Sequence, residues 1–196
     1  MTVDERTREV HPLTLFAPEG ARLLMLGSFP PPRERWRMDF FYPNFQNDMW
    51  RIFGHVFFGD KLHFVDQEHK TFHLKALKAF LTETGVAIFD TGLRIRRTKN
   101  NASDKDLEIV EQADIDGLLR QLPECKGVLA AGQLATQVFM QHFGIKQMPK
   151  MGCFAEFSFE GRTLRLYRVP SSSRAYPMAV EKKAAFYQKM FDDVLR

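Results

Sequence analysis

The sequence has few cysteines, which limits the chemistry it can support. Its 196 residues include two, Cys125 and Cys153. Two thiols are too few for an iron–sulfur cluster, which normally takes four, and their separation is not that of a metal-binding pair. We therefore expect no metal and no cofactor. Both cysteines are expected to be small buried side chains in a reducing compartment.

Segments that would direct the chain to a membrane or out of the cell are also missing. No apolar run approaches the roughly 20 residues that a membrane-spanning helix needs. The first ten residues are charged and lack the apolar stretch of a secretory signal. We therefore expect a cytoplasmic protein that does not contact a membrane.

Internal repeats, low-complexity tracts and Ser/Gly linkers are absent as well. Hydrophobic residues make up 44% of the chain and charged residues 27%, which is typical of an ordinary globular protein. A chain of this length can bury a full core. We therefore expect one domain over residues 1–196 and a monomer.

Four short apolar segments, each ended by Gly, Asp or Pro, predict β-strands. They cover residues 22–26, 86–89, 127–131 and 164–169. The first three are continuously apolar, as strands buried on both faces of a parallel sheet usually are. The fourth alternates apolar and polar residues, which favours a position at the edge of the sheet.

Helical patterns separate these strands. They are predicted over residues 49–56, 71–82, 115–122, 133–143 and 179–195. The alternation of strands and helices predicts an α/β fold, a three-layer α/β/α sandwich with a central, mainly parallel four-stranded sheet. In such folds the ligand site lies beyond the carboxyl ends of the strands.

Basic residues recur after or around the predicted strands of this chain, whose net charge is +4. The three groups are Arg33, Arg35 and Arg37; Arg94, Arg96, Arg97 and Lys99; and Arg162, Arg165, Arg168 and Arg174. Converging on one edge of the sheet, such groups would hold backbone phosphates. The pattern is compatible with a polyanion partner.

Two segments after the first strand have the composition of a base pocket. The strand ends in Leu26-Gly-Ser-Phe-Pro-Pro-Pro32, where a glycine lets a ligand approach main-chain amides. An aromatic segment with interleaved amides, 39–50, follows and suits stacking on a planar base. A carboxamide, Asn44 or Asn47, presents the donor and the acceptor that a base edge requires. In the same segment Trp50 is favoured as a helix anchor.

These segments resemble the first motifs of the uracil-DNA glycosylase superfamily. Gly27-Ser-Phe-Pro30, Phe41-Tyr42 and Asn47-Asp-Met-Trp50 are similar to the pattern Gly-Ser-x-Pro-Gly, Tyr-Tyr and Asn-x-Phe-Trp of its hypoxanthine-DNA glycosylase branch. Val169-Pro-Ser-Ser-Ser-Arg174 resembles the second signature, a Pro-Ser-rich loop that grips the strand and helps to extrude the base. The resemblance covers about residues 22–176.

The resemblance implies a monofunctional DNA glycosylase of base excision repair. Such a hydrolase flips a deaminated base, uracil or hypoxanthine, out of DNA and hydrolyses its N-glycosidic bond. The implied base-binding residues are Gly27, Ser28, Phe29, Tyr42 and Asn47, and the implied DNA-binding residues are Ser171, Ser172, Ser173 and Arg174.

Three positions depart from the family pattern. Phe29 lies where many branches have a water-positioning Asn or Asp, and a phenyl ring cannot orient water. Val169 replaces a His, and Ser173 aligns with a wedge leucine. The hypoxanthine branch also lacks the water-positioning Asn or Asp at the place of Phe29. In this chain too, the chemistry would therefore have to come from other polar residues.

The loop after the second strand supplies the candidates. Hydrolysis of a glycosidic bond builds positive charge on the sugar, which a fixed carboxylate or carboxamide stabilises. Asn101 and Asp104 are the predicted catalytic residues, followed by Asp106, and Asp90 at the end of the second strand competes with them. Alternatively, this loop is exposed, and Ser103 or Asp104 caps a short helix.

Two other functions stay open at this point. One is a catalytically inactive relative that binds nucleic acid, and the other is a small-molecule or nucleotide hydrolase on the same α/β plan. Since Gly27, Tyr42, Asn47 and Ser171 all lie at or just beyond strand ends, we expect them to line one cleft.

Overall fold

A computed structural model describes residues 8–101 and 103–196 of the chain. The strands are β1 (Arg8–Val10), β2 (Leu23–Gly27), β3 (Val65–Asp66), β4 (Thr71–Phe72), β5 (Val86–Asp90), β6 (Gly92–Arg97), β7 (Leu107–Gln112), β8 (Gly127–Ala130), β9 (Phe154–Phe159) and β10 (Arg162–Tyr167). The helices are α1 (Met49–Phe58), α2 (Leu74–Thr84), α3 (Ile115–Arg120), α4 (Gln133–Phe143) and α5 (Val180–Leu195).

The central sheet has the strand order β5–β2–β8–β10–β9. The first four strands of that order run parallel, and β9 runs antiparallel to β10. Every residue of β2, β5 and β8 is buried, as their continuous apolar sequences predict. The carboxyl ends of the parallel strands therefore form one edge, where a ligand site is expected.

The prediction of a four-stranded sheet with the fourth strand at its edge was wrong. A fifth strand, β9, forms a hairpin with β10 and takes the edge position. Glu160 and Gly161 form the two-residue turn, with φ of 47° and 80°, the left-handed conformation that tight hairpins use. The alternation of apolar and polar residues in β10 therefore does not mark an edge strand. Strand β10 lies inside the sheet, and one of its two faces is less covered than the other.

A second, antiparallel sheet of three strands, β1–β6–β7, extends the structure beyond the end of β5. Arg94 and Arg96, which were expected in a connection after a strand, lie within β6. Exposed opposite-charge pairs lie across its strands, since Arg94 pairs with Glu111 and Arg96 with Glu108. The sheet brings β1 and the loop after β6 to the carboxyl edge of the central sheet.

Helices pack around the central sheet, as an α/β fold predicts. Phe53 of α1, Phe80 of α2 and Phe191 of α5 form one aromatic cluster. Phe139 of α4 packs against Phe157 of β9 at a centroid distance of 5.1 Å. None of the helices in the described ranges combines the length and the apolarity that crossing a membrane would need.

One predicted helix start differs from the structure. Thr71 lies in β4, which pairs with β3, and α2 begins three residues later at Leu74. Helix α1 begins at Met49 as predicted, and the side chain of Asp48, directly before it, does not cap the helix. The carboxamide oxygen of Asn47 accepts the hydrogen bond from Met49 N instead, at 2.9 Å. Asp48 is thereby left for other partners.

Candidate active site

The ends of β2 and β5 bring a glycine and a carboxylate into close contact. Gly27 and Asp90 are register partners at the carboxyl ends of these parallel strands. A Cβ on Gly27 would lie 2.3 Å from Asp90 Oδ1 and 3.5 Å from the hydroxyl oxygen of Tyr42. A larger residue at position 27 would therefore displace Asp90, so the close approach requires glycine.

Ser28 connects the first strand end to the predicted catalytic loop. Its Oγ donates a hydrogen bond of 2.5 Å to Asp104 Oδ1. The other carboxylate oxygen, Oδ2, lies 3.2 Å from where a Cβ would be on Gly132, at the start of α4. Asp104 begins a short 3₁₀ turn whose N-cap is Ser103, which accepts from Lys105 N. Ser103 thus caps a turn while Asp104 contacts the strand end.

The environment of Asp104 disfavours its ionised form. Burial raises the pKa of Asp104 above its ordinary value of 3.8, and the hydrogen bond from Ser28 counteracts that rise. The negative charge of Asp90 raises the pKa further, while the guanidinium of Arg97 lowers it. A carboxyl group with a raised pKa at the ligand end of a sheet is typical of a functional site.

Tyr42 adds a hydroxyl without a partner. Its backbone φ is 49°, a left-handed conformation that non-glycine residues rarely adopt. The hydroxyl oxygen is buried and forms no hydrogen bond with any residue in 8–101 or 103–196. Burial raises the pKa of Tyr42 well above 10.0, and Asp90, Tyr187 and Asp104 raise it further, in that order. A buried unpaired hydroxyl is unfavourable, so its retention points to a use in function.

His11 is a site residue that sequence reasoning did not identify. Its Nε2 lies 2.8 Å from Asp90 Oδ2, across 79 positions of the sequence. The residue lies just after β1, far from every predicted strand end, so no local pattern marked it. Only the antiparallel pairing of β1 with β6 brings it to Asp90.

Phe29 lies beside the His11–Asp90 pair. Its ring meets the His11 imidazole edge-on, with centroids 5.2 Å apart. The guanidinium of Arg97 lies 6.0 Å from the Phe29 ring and donates to Glu9, Pro30 O and Asn101 O. Arg97 therefore holds β1, the loop after β2 and the loop after β6 together.

Asn101 and Asp104, the two predicted catalytic residues, differ in their surroundings. The Asn101 amide nitrogen donates to Asp106 Oδ2 at 2.7 Å, and its oxygen accepts from Ser103 N at 2.9 Å. The hydrogen bond from Asn101 lowers the pKa of Asp106. Both ends of the carboxamide are thus engaged within the loop, whereas Asp104 contacts Ser28.

The loop that contains Ser171–Arg174 is fixed to the start of α1. Asp48 N donates to Ser172 O at 2.9 Å. Lys183 of α5, whose side chain is fully buried, lies 2.8 Å from Ser173 O and 3.1 Å from Asp48 Oδ2. The guanidinium of Arg174 lies 3.5 Å from Asp48 Oδ1. Asn47 and Ser171 therefore belong to the same end of the molecule, because their direct neighbours are hydrogen-bonded.

Tyr187 lies between the Ser171–Arg174 loop and the surroundings of Tyr42. Its hydroxyl donates to Pro170 O at 2.9 Å, directly before Ser171, and it is close enough to Tyr42 to raise the pKa of that residue. Within the loop, Ser171 Oγ accepts from Ser173 N, and Ser173 Oγ accepts from Ala175 N. Both hydroxyls can still donate a hydrogen bond outward.

A basic cavity of about 330 Å³ adjoins the loop. Its lining includes three cations, Arg51, Lys61 and Arg174. Asp48 also lines it, and two of the cations meet carboxylates, since Lys61 lies 2.7 Å from Glu181 Oε1 and Arg174 lies 3.5 Å from Asp48 Oδ1. The basic group after β5 is paired in the same way, because Arg94, Arg96, Arg97 and Lys99 each meet a carboxylate. Arg162 donates to the backbone oxygens of Leu119, Leu122 and Pro123.

Comparison with known proteins identifies a similar structure. No known protein family and no curated protein matches the sequence. A solution NMR structure from Methanosarcina acetivorans, named a "putative Uracil DNA glycosylase", matches with a TM-score of 0.60 and 20% sequence identity. The match covers 93% of this chain and 98% of that one. At this identity the likeness shows a shared fold over nearly the whole chain.

Replacing Asp104 by asparagine should change how stability depends on pH. The pKa of Asp104 is raised in the folded state. Its favourable contribution to the free energy of unfolding is therefore complete below pH 3.8, the ordinary pKa, and is lost as the pH rises through the raised pKa. The carboxamide that replaces it can still accept from Ser28 and does not ionise. The Tm of Asp104→Asn minus that of wild type should therefore increase from about pH 3 to about pH 7, as thermal melts would measure. A difference independent of pH would contradict the raised pKa.

Removal of the Tyr42 hydroxyl should not destabilise the fold. Because that hydroxyl is buried and unpaired, Tyr42→Phe should leave the free energy of unfolding unchanged or raise it, by up to about 1–3 kcal/mol. Tyr187→Phe is the matched control, since it removes a hydroxyl that donates to Pro170 O and should cost about 1 kcal/mol. Urea unfolding measures both. Equal losses in the two variants would show that Tyr42 has a hydrogen-bond partner.

Proposed function

We propose that this protein is a monofunctional DNA glycosylase that removes a deaminated base, uracil or hypoxanthine, from DNA. The observation that carries the proposal is the group of Ser28, Tyr42, Asp90 and Asp104 at the strand ends. This group places two carboxylates where a fold of this type binds its ligand. The likeness to a structure named as a uracil DNA glycosylase supports the same interpretation.

In this proposal Asp104 acts on the sugar. Water adds to C1′, and the bond between C1′ and the base nitrogen breaks with its electron pair going to the base. The carboxylate of Asp104 accepts a proton from the attacking water and releases it to solvent, and the departing base takes up one proton from solvent, so that the net reaction consumes one water. A partly buried carboxylate oriented by Ser28 also stabilises the positive charge on the sugar. Asn101 supports this function by fixing the loop through Asp106 and Ser103.

The flipped base would lie between the segment that ends β2, residues 26–32, and the aromatic segment 39–50. Gly27 and Ser28 lie buried at the end of β2, and the half-buried Phe29 and Tyr42 offer aromatic surface on which a base can stack. The amide nitrogen of Asn47 has no hydrogen-bond partner among residues 8–101 and 103–196, because only its oxygen caps α1. That N–H group can donate to the carbonyl oxygen which uracil and hypoxanthine share.

The Ser171–Arg174 loop would hold the DNA backbone. Ser171 and Ser173 retain outward hydroxyl donors, and Arg174 lines the adjoining basic cavity. Contacts of this kind release counterions, so binding should weaken as salt concentration rises. Ser172 contributes through its backbone, which accepts from Asp48 N.

A glycosylase assay tests the function directly. Oligonucleotides that carry uracil, hypoxanthine or xanthine are incubated with the protein and cleaved with alkali at abasic sites. Asp104→Ala should lower the single-turnover rate by about a hundredfold or more, the scale for one preorganised electrostatic group. Asn101→Ala should lower it less. Asp66→Ala, at an exposed His–Asp pair, is the control and should keep the wild-type rate.

The outcomes separate this function from its rival. Cleavage of none of the three bases by the wild type, together with DNA binding, would establish a non-catalytic nucleic-acid-binding protein. Wild-type rates in both Asp104→Ala and Asn101→Ala would move the chemistry to another residue.

Asn47→Asp separates base recognition from helix capping. An aspartate at position 47 can still accept from Met49 N, and its charge is favourable at a helix start. Stability should therefore be unchanged, while cleavage should fall because the amide donor is lost. Thermal melts and single-turnover assays on the same samples measure both. A variant that cleaves normally would limit Asn47 to capping.

A further inference from the structure

A buried histidine is paired with Asp90 at the end of β5. The side chain of His11 is fully buried, and its Nε2 lies 2.8 Å from Asp90 Oδ2. Its ring packs among Phe29, Phe41 and Phe89, at centroid distances of 5.2, 6.3 and 4.7 Å. Within the described residues, Asp90 and the backbone of Leu13 are its polar contacts.

The backbone of Leu13 fixes the ring in either protonation state. His11 Nδ1 lies 3.0 Å from Leu13 O and 3.2 Å from Leu13 N. A neutral ring accepts from Leu13 N at Nδ1 and donates from Nε2 to Asp90. A protonated ring donates to Leu13 O and to Asp90. Asp90 therefore receives a hydrogen bond from His11 in both states, and its orientation is kept.

This pairing leaves the second oxygen of Asp90 for a ligand. Asp90 Oδ1 forms no hydrogen bond with the described part of the chain, and it lies directly against the backbone of Gly27. The charges of Asp90 and Asp104 both act on the hydroxyl of Tyr42. One carboxylate from the end of β5 and one from the loop after β6 thus lie near the Tyr42 hydroxyl at the strand ends.

We propose that His11 is a positioning residue which holds Asp90 as a second carboxylate of the site, and that Asp90 and Asp104 together recognise a cationic sugar ring. The inference rests on the proposed glycosylase function and deepens it. A deoxyribose that is losing its base carries positive charge on C1′ and the ring oxygen. Fixed carboxylates stabilise this state more than the neutral sugar of the intact nucleotide.

A purely structural pair would not need these features. Burying a histidine and a carboxylate costs desolvation, and an apolar pair of similar volume is often as stable. A structural role would also not require an unbonded oxygen against a glycine at the ligand edge of the sheet.

Two DNA duplexes that differ in one ring atom test the inference without cleavage. One contains a pyrrolidine abasic nucleotide, whose ring nitrogen is cationic, and the other contains the neutral tetrahydrofuran analogue. We expect the wild type to bind the pyrrolidine duplex at least about tenfold more tightly. Asp90→Asn should abolish most of this preference and leave affinity for the tetrahydrofuran duplex unchanged.

Variants of His11 test its positioning role. His11→Leu removes the donor to Asp90, and His11→Gln retains an N–H group. His11→Leu should lose the pyrrolidine preference and lower the saturating single-turnover rate by about tenfold or more, with the half-saturating DNA concentration unchanged. His11→Gln should recover much of both. His69→Leu removes an exposed histidine paired with Asp66 and should alter neither.

Each result decides the inference. A pyrrolidine preference that survives in Asp90→Asn overturns it, and a His11→Gln variant as impaired as His11→Leu overturns the positioning role. If the wild type cleaves no base but shows an Asp90-dependent preference, the glycosylase proposal fails and the recognition of a cation stands. If His11→Leu does not fold, Asp90→Asn still decides, because its amide keeps the size and an acceptor for His11.

Discussion

The contact between Gly27 and the carboxylate of Asp90 is the constraint on which the site depends. The parallel register of β2 and β5 sets these residues side by side, and the missing Cβ at position 27 admits the carboxylate. Once Asp90 is placed there, His11 can bind its outer oxygen from one side. Ser28, the next residue along, then directs its hydroxyl to Asp104. One backbone position thus determines where both carboxylates lie.

The closeness of these two carboxylates determines the electrostatics of the site. Asp90 and Asp104 repel each other and both disfavour ionisation of Tyr42, so the site concentrates negative charge in a partly buried place. The nearby cation, Arg97, is committed to Glu9 and two backbone oxygens and offsets the charge of Asp104 only from a distance. Grouped negative charge of this kind is unfavourable by itself and complementary to positive charge.

The parts of the structure that follow from local sequence patterns were predictable. Continuous apolar runs identified β2, β5 and β8. Ser28 was singled out at the first strand end and Asp104 in the loop after the second strand, and the structure places the two in contact. The hairpin β9–β10 was missed because Glu160 supplies a left-handed turn residue that composition alone does not mark. His11 and Lys183 were missed because their partners lie 79 and 135 positions away. Pairing over such distances depends on the complete topology.

The three-stranded sheet has a consequence for the boundaries of the functional unit. Strand β1 contributes nothing to the central sheet, so a shortened chain that begins at β2 would keep every parallel strand pairing. It would nevertheless lose Glu9, the carboxylate partner of Arg97, and His11, the partner of Asp90. The part of the chain that builds the central sheet and the part that builds the His11–Asp90 pair therefore differ by a short N-terminal segment.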